Sequence, residues 1–143
     1  MNKSSEVNSA LLFVYGTLRT GGSNDIARIA PEARHFAGAR VRGLLYDLGA
    51  YPALLLDPGA GWVAGELYTV PAHAWPALDA LEEPVTPERP DGEYFKLEAE
   101  VELADGSHRL VWIYVANPAV LKLDRLIAGG DWMAHAAAGR DRA

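Results

Sequence analysis

The sequence predicts an α+β fold in which a small mixed-sheet β-barrel carries two or three flanking helices. Short apolar or alternating segments, separated by Gly and Pro, indicate about six strands. The few helical patterns do not alternate regularly with these strands, which argues against a βαβ architecture. A length of 143 residues fits a single domain. We expect its core to span about 11–132, with 1–9 and 133–143 as flexible tails, the second frayed or weakly helical.

Four strands are predicted in the first half of the chain. Residues 11–15 (LLFVY) form a short apolar run that ends at Gly16, as in a buried strand. A second strand is expected around Val41–Leu48, and 53–56 (ALLL) is placed to pair with it across a short turn. Residues 62–70 (WVAGELYTV) indicate a fourth strand.

The clearest strand pattern is a hairpin in the second half. Between residues 95 and 103 charged side chains alternate with Phe95, Leu97, Ala99, Val101 and Leu103. This alternation predicts one buried face and one solvated face. Asp105-Gly106 follows as a turn, and 109–115 (RLVWIYV) returns as the partner strand.

Two helices are predicted from apolar spacing. Residues 74–83 place Trp75, Leu78 and Leu81 on roughly one face. Residues 119–128 repeat apolar positions at helical spacing and stop at two glycines. A third, short helix is expected to begin at Ser23 or Asn24.

Composition excludes several classes of function. A formal net charge of −6 lacks the basic footprint of a general nucleic-acid binder. With no cysteine, disulfides, thiol nucleophiles and Cys-ligated metals are excluded, and the four histidines show no ligand spacing, so we expect no metal. The apolar run at 10–14 is too short for a signal sequence or a membrane span of about 20 residues. We expect a cytoplasmic protein that uses no membrane.

The first candidate functional segment is Tyr15–Asn24 (YGTLRTGGSN), a glycine-rich stretch that follows the buried strand. Such a loop can direct successive backbone N–H groups toward a carboxylate or phosphate. An ordinary strand-to-helix turn is the alternative. The segment has neither the GK[ST] ending of a Walker loop nor a GxGxxG pattern.

The second candidate is the acidic end of the first predicted helix, with Asp79, Glu82 and Glu83. A carboxylate beside the apolar face would have a raised pKa, as a general acid/base near neutral pH requires. The alternative is an exposed acidic helix end. Tyr94 and Tyr114 of the hairpin could direct hydroxyl groups into a pocket, or could pack as core residues with their hydroxyls satisfied.

These segments together resemble the gamma-glutamylcyclotransferase-like (AIG2-like) family over about residues 11–132. The most specific part is FVYGTLR at 13–19. Further similarity comes from GLLYDLGAYPAL at 43–54, VAGELYTV at 63–70, LDALEE at 78–83, the tyrosines and tryptophan of the hairpin, and GGDW at 129–132. The family's usual glycine after its glutamate is replaced here by Glu83, and its tyrosine-x-arginine reads Tyr94-Phe95-Lys96.

The resemblance implies a small β-barrel with a pocket between the YGTL loop and a catalytic glutamate. By position that glutamate is Glu82, although the altered neighbour leaves Glu83 open as well. The implied substrate-binding residues are Tyr15, Gly16, Thr17, Leu18, Arg19, Tyr94 and Tyr114.

The implied reaction is intramolecular aminolysis of a small γ-glutamyl amine or peptide. The substrate's own α-amine attacks the γ-carbonyl, forms 5-oxoproline and releases the amine, so no cofactor is required. Two rival hypotheses stay open at this point. The chain could be a non-catalytic ligand-binding module of the same fold, or an interaction domain that uses its hydrophobic hairpin face. The sequence leaves the released amine and the oligomeric state open.

Overall fold

The computed structural model describes residues 9–82, 84–87 and 89–142. Within these residues, six strands form one sheet: β1 (Ser9–Val14), β2 (Arg34–Asp47), β3 (Pro52–Leu56), β4 (Trp62–Pro71), β5 (Tyr94–Leu103) and β6 (His108–Ala116). The same described part of the chain has three α-helices and one 3₁₀ turn: α1 (Ile26–Ile29), the turn Ala72–Ala74, α2 (Trp75–Glu82) and α3 (Trp132–Arg142).

Five of the strands close into a barrel in the order β2-β4-β1-β6-β5. The closure is a short antiparallel contact in which Ala39 and Arg40 of β2 lie opposite Leu103 and Glu102 of β5. β1 and β6 run parallel, whereas the other neighbours are antiparallel, and β3 extends the sheet beside the second half of β2. The predicted α+β fold with a mixed-sheet barrel is therefore confirmed.

β1 is buried on both faces, which explains its uninterrupted apolar sequence. Phe13 faces the barrel interior, where it packs in one hydrophobic cluster with residues such as Leu67 and Ile113. Leu12 and Val14 face the other way, into a second cluster that includes residues from α1 and α2. Because both faces of β1 are packed, the glycine-rich loop that follows this strand begins at a fixed position between the two clusters.

The β5–β6 hairpin is confirmed, with a nine-residue-pair register from Tyr94↔Ala116 to Glu102↔His108 and with Gly106 at φ 85° in its turn. The expected burial of Phe95 is wrong, because this side chain is 40% exposed. The neighbouring Tyr94 is buried instead. At this end of the hairpin the cavity described below contacts Tyr94, so the simple two-face pattern fails there.

The short helix α1 begins close to the predicted position, with Asp25 as its N-cap, and α2 confirms the helix expected over 74–83. The helix predicted over 119–128 is wrong. This segment is a turn followed by extended chain, in which the amide of Ile127 donates to the carbonyl of Leu45 at 2.7 Å. Residues 133–142, expected as a flexible tail that is frayed or weakly helical, belong to helix α3, which begins at the buried Trp132. Residues 1–8 lie outside the described residues.

Candidate active site

A cavity of about 240 Å³ lies at the carboxyl end of β1. It forms where the loop after β1 meets the end of α2, the β2–β3 turn and the start of β5. Its lining residues are Phe13, Val14, Tyr15, Gly16, Thr17, Leu18, Asn24, Tyr51, Pro52, Leu81, Glu82, Glu93, Tyr94 and Tyr114. The two segments singled out in the sequence therefore face one space.

The loop after β1 is held by its own backbone. The amide of Arg19 donates to the carbonyl of Gly16 at 3.0 Å, and the amide of Asn24 donates to the carbonyl of Thr17 at 2.9 Å. The side-chain amide of Asn24 also donates to Oγ1 of Thr17 at 3.1 Å. Within the described chain, the amides of Thr17 and Leu18 donate to no protein acceptor. Backbone donors next to a cavity are suited to bind an anionic oxygen.

Gly16 is required by a close approach. A Cβ built at this position would lie 2.7 Å from Cγ of Pro52. Only glycine lets the loop after β1 and the β2–β3 turn come this close together. The contact brings Tyr51 and Pro52 to the cavity wall.

Glu82 is the last residue of α2 and is half-buried against the cavity. Among the described residues its carboxylate has no hydrogen-bond donor or cation as partner. Burial, and to a smaller degree the negative charge of Glu93, raise the pKa of Glu82 from 4.5 to about 7. A carboxylate with this pKa can both accept and return a proton near neutral pH.

Three of the four tyrosines that line the cavity bind backbone or carboxylate oxygens with their hydroxyl protons. Tyr15 donates to the carbonyl of Tyr114. Tyr94 donates to the carbonyl of Pro52 at 3.0 Å, and Tyr114 donates to Oδ1 of Asp79 at 2.6 Å. Burial raises the pKa of all three phenols, so each keeps its proton. A ligand therefore meets ring faces and oxygen lone pairs here.

Asp79, one helical turn before Glu82, has a supporting role. Besides accepting from Tyr114, its carboxylate forms an ion pair with Lys96 at 3.2 Å. The Lys96 ammonium lies 4.0 Å from the centroid of the Trp75 ring, at cation–π distance. Lys96 thus fixes Asp79, which in turn orients Tyr114.

Arg19 is placed differently from the other predicted substrate-binding residues, because it does not line the cavity. Its guanidinium donates to Glu66 and to Asp131, in both cases at 2.9 Å. The predicted contact of Arg19 with substrate finds no support in this geometry. Glu83, the alternative to Glu82, lies outside the described residues.

Two polar residues of the cavity wall, Tyr51 and Glu93, were not singled out by the sequence as functional. Tyr51 comes from the β2–β3 turn and Glu93 immediately precedes β5, and the Tyr51 hydroxyl donates to Oε2 of Glu93 at 3.2 Å. Tyr51 lies within a segment that resembles the family, which was its only signal. For Glu93 no motif or periodicity gave a signal.

Two further properties concern the part of the chain that the structure describes. It contains no group of three or more His, Cys, Asp or Glu residues arranged to hold a metal ion. None of its helices has the length and apolar character needed to cross a bilayer. The chemical groups that the cavity offers are a carboxylate with a raised pKa, free backbone amides and phenolic oxygens.

Comparison with known proteins identifies the class to which this barrel and cavity belong. The family model described as "Gamma-glutamyl cyclotransferase, AIG2-like" matches residues 12–134. The chain belongs to this family. The expected class of enzyme, a γ-glutamylcyclotransferase, is thereby confirmed along with the fold.

Individual relatives show the extent of the similarity. A Vibrio cholerae protein named "Putative gamma-glutamylcyclotransferase" is 36% identical over 122 residues, which cover 85% of this chain and 94% of that protein. The "Gamma-L-glutamyl-butirosin B gamma-glutamyl cyclotransferase" of Niallia circulans is 39% identical over 108 residues, covering 74% and 66%. The crystal structure of a mouse AIG2-like protein superposes with a TM-score of 0.64 and 26% identity, covering 82% and 86%.

Proposed function

We propose that this chain releases 5-oxoproline and a free amine from a small γ-glutamyl amide, with Glu82 transferring the protons. The observation that carries the proposal is that Glu82 faces the same cavity as the free amides of Thr17 and Leu18. A half-buried carboxylate with no hydrogen-bond donor or cation among the described residues is destabilising, and its position in a cavity supports a functional role.

The loop after β1 would hold the glutamyl group. Its α-carboxylate would accept hydrogen bonds from the amides of Thr17 and Leu18, which need an acceptor. The α-nitrogen would lie between Glu82 and the phenolic oxygens, which can only accept because their protons are used within the protein. This arrangement binds the nucleophile and the carboxylate of one glutamyl group at the same time.

In this reaction Glu82 alone can carry each proton that must move. Glu82 takes one proton from the α-ammonium, and the resulting amine attacks the γ-carbonyl carbon to form the ring C–N bond. The protonated Glu82 gives that proton to the amide nitrogen, and the original C–N bond breaks. The ring nitrogen returns its surplus proton to Glu82, which passes it to the departing amine or to solvent.

The raised pKa of Glu82 matters for the first step. The α-amine of a γ-glutamyl compound lies beside a free carboxylate, which raises its pKa above the value of about 8 for a chain terminus, so an ordinary glutamate, with a pKa of about 4.3, is a poor base for it. With its pKa near 7, Glu82 is a better match for the ammonium by more than about two units. It also remains acidic enough to protonate the leaving nitrogen.

Replacement of Glu82 tests this role. Glu82→Gln keeps the size of the side chain and removes proton transfer, so release of 5-oxoproline from γ-glutamyl amides should fall at least about 100-fold. Glu98→Gln is the matched control, because Glu98 is exposed on β5 and does not line the cavity.

The measurement is 5-oxoproline formed per folded protein, together with calorimetric titration of the same amide. Undiminished turnover in folded Glu82→Gln would contradict the role of Glu82. A wild-type protein that binds the amide and returns it intact would contradict turnover and favour the non-catalytic module.

A further inference from the structure

Glu93 is a second carboxylate in the cavity, and the reaction described above does not use it. Its side chain is half-buried and contacts the same space as Glu82. It lies at the end of the segment that joins α2 to β5, on a different loop from the amides of Thr17 and Leu18.

The position of Glu93 is fixed by the rest of the protein. The buried Asn117 donates from its backbone amide to the carbonyl of Glu93 and from its side chain to the carbonyl of Gly92, both at 2.9 Å. The Tyr51 hydroxyl donates to the Glu93 carboxylate at 3.2 Å. Two separate elements thus hold this residue beside the cavity.

No cation among the described residues of the cavity wall neutralises this charge. Of the described residues that line the cavity, none is Lys, Arg or His, whereas Glu82 and Glu93 are both acids. Lys96, on the neighbouring element, is paired with Asp79. The phenolic oxygens add further acceptors, so the electrostatic environment as a whole favours a ligand that carries positive charge.

The α-ammonium of the substrate is an unsuitable partner for Glu93. That group must become a neutral amine before it attacks, and a fixed carboxylate beside it would stabilise the unreactive ammonium form. A positive charge elsewhere in the substrate stays charged throughout the reaction. The γ-glutamyl group has no second cation, so such a charge must lie in the amine that is released.

We propose that Glu93, positioned by Tyr51 and Asn117, determines specificity by binding a cationic group in the departing amine, so that the preferred substrates are γ-glutamyl derivatives of diamines or polyamines. The assignment rests on the proposed cyclotransferase reaction. It adds that the amine carries a second ammonium group a few bonds from the scissile amide.

Two amides of equal length test the proposal. One is the γ-glutamyl amide of 1,4-diaminobutane, which is cationic at its far end, and the other is the γ-glutamyl amide of pentylamine, which is neutral there. We expect the wild-type kcat/KM for 5-oxoproline release to favour the cationic amide by about tenfold or more, the range of a charge-assisted hydrogen bond. In Glu93→Gln this ratio should fall to about twofold or less.

Glu98→Gln removes the same charge from an exposed position on β5 and should leave the wild-type ratio in place. Equal kcat/KM of the two amides in the wild type would overturn the proposal, as would an equal loss for both in Glu93→Gln. Failure of the wild type to release 5-oxoproline from either amide would instead contradict the cyclotransferase reaction itself.

Discussion

At the scale of single residues, the site depends on a carboxylate that lowers the stability of the fold. Glu82 ends a helix, where the helix dipole disfavours negative charge, and it faces Glu93 in a half-buried cavity. Its pKa is raised from 4.5 to about 7, so ionisation of Glu82 costs free energy in the folded state but not in the unfolded chain. The raised pKa that makes Glu82 a useful base therefore also lowers the stability of the fold.

This linkage predicts an opposite effect of one substitution on stability and activity. Between pH 4.5 and about 7 the folded protein holds a proton that the unfolded chain has lost, so the free energy of unfolding falls as the pH rises through this window. Glu82→Gln removes the penalty. It should be more stable than the wild type at pH 8, by up to about 3 kcal/mol, and of similar stability at pH 4.

Urea unfolding of both proteins at the two pH values gives the measurement. A difference in stability that does not depend on pH would show that the Glu82 carboxylate is solvated in the folded state. That outcome would contradict the raised pKa without affecting the rest of the fold.

At the scale of elements, local sequence predicted the β-hairpin, helix α2 and the glycine-rich loop, because each carries its own pattern. The segment 119–128 shows where that fails. Its apolar positions have helical spacing, yet Val120 is 45% and Leu126 is 55% exposed, whereas Leu121 and Leu123 pack against the second hydrophobic cluster, which lies outside the barrel interior. An isolated helix of this length is marginal in water.

Instead of forming a helix, this segment forms hydrogen bonds with backbone groups at the end of β2. The amide of Asp47 donates to the carbonyl of Arg125 at 2.8 Å, and Leu126 forms a bridge with Tyr46. These hydrogen bonds join residues that are far apart in the sequence, so the spacing of apolar residues within the segment cannot predict them. The same reason applies to Glu93, which meets Tyr51 across 42 positions of sequence.

The loop after β1 gives a prediction at this scale. Gly16→Ala places a Cβ 2.7 Å from Cγ in the rigid ring of Pro52, a residue whose backbone carbonyl accepts a hydrogen bond from the Tyr94 hydroxyl. We expect a loss of stability of about 1–3 kcal/mol and a higher KM, because the loop amides and the cavity wall must move apart.

Gly38→Ala is the control for this change, since a Cβ at that position in β2 meets nothing within 4 Å. Thermal unfolding and steady-state kinetics of both variants provide the comparison. An unchanged KM and melting temperature in Gly16→Ala would contradict the close packing of the two loops.

At the scale of the whole molecule, the barrel is completed by the segment that leads into α3. Ile127 and Trp132 pack into the interior cluster, and the carbonyl of Gly130 accepts a hydrogen bond from the amide of Ala64 at 2.8 Å. The carboxylate of Asp131 also binds Arg19 of the loop after β1. One short turn therefore connects the chain's last helix, strand β4 and the loop of the site.

Gly130 is the position where this connection is most constrained, and substitution there should destabilise the whole fold. Its φ of +66° is unfavourable for other residues, and a Cβ would lie 2.1 Å from the carbonyl oxygen of Trp62. Gly130→Ala should therefore lose about 3 kcal/mol or more and about 10 °C in melting temperature. The adjacent Gly129→Ala, where a Cβ meets nothing within 4 Å, should unfold like the wild type. Similar melting curves for the two variants would show that the turn is not needed to hold the barrel closed, since Gly130 is the residue of this pair whose carbonyl accepts the Ala64 amide of β4.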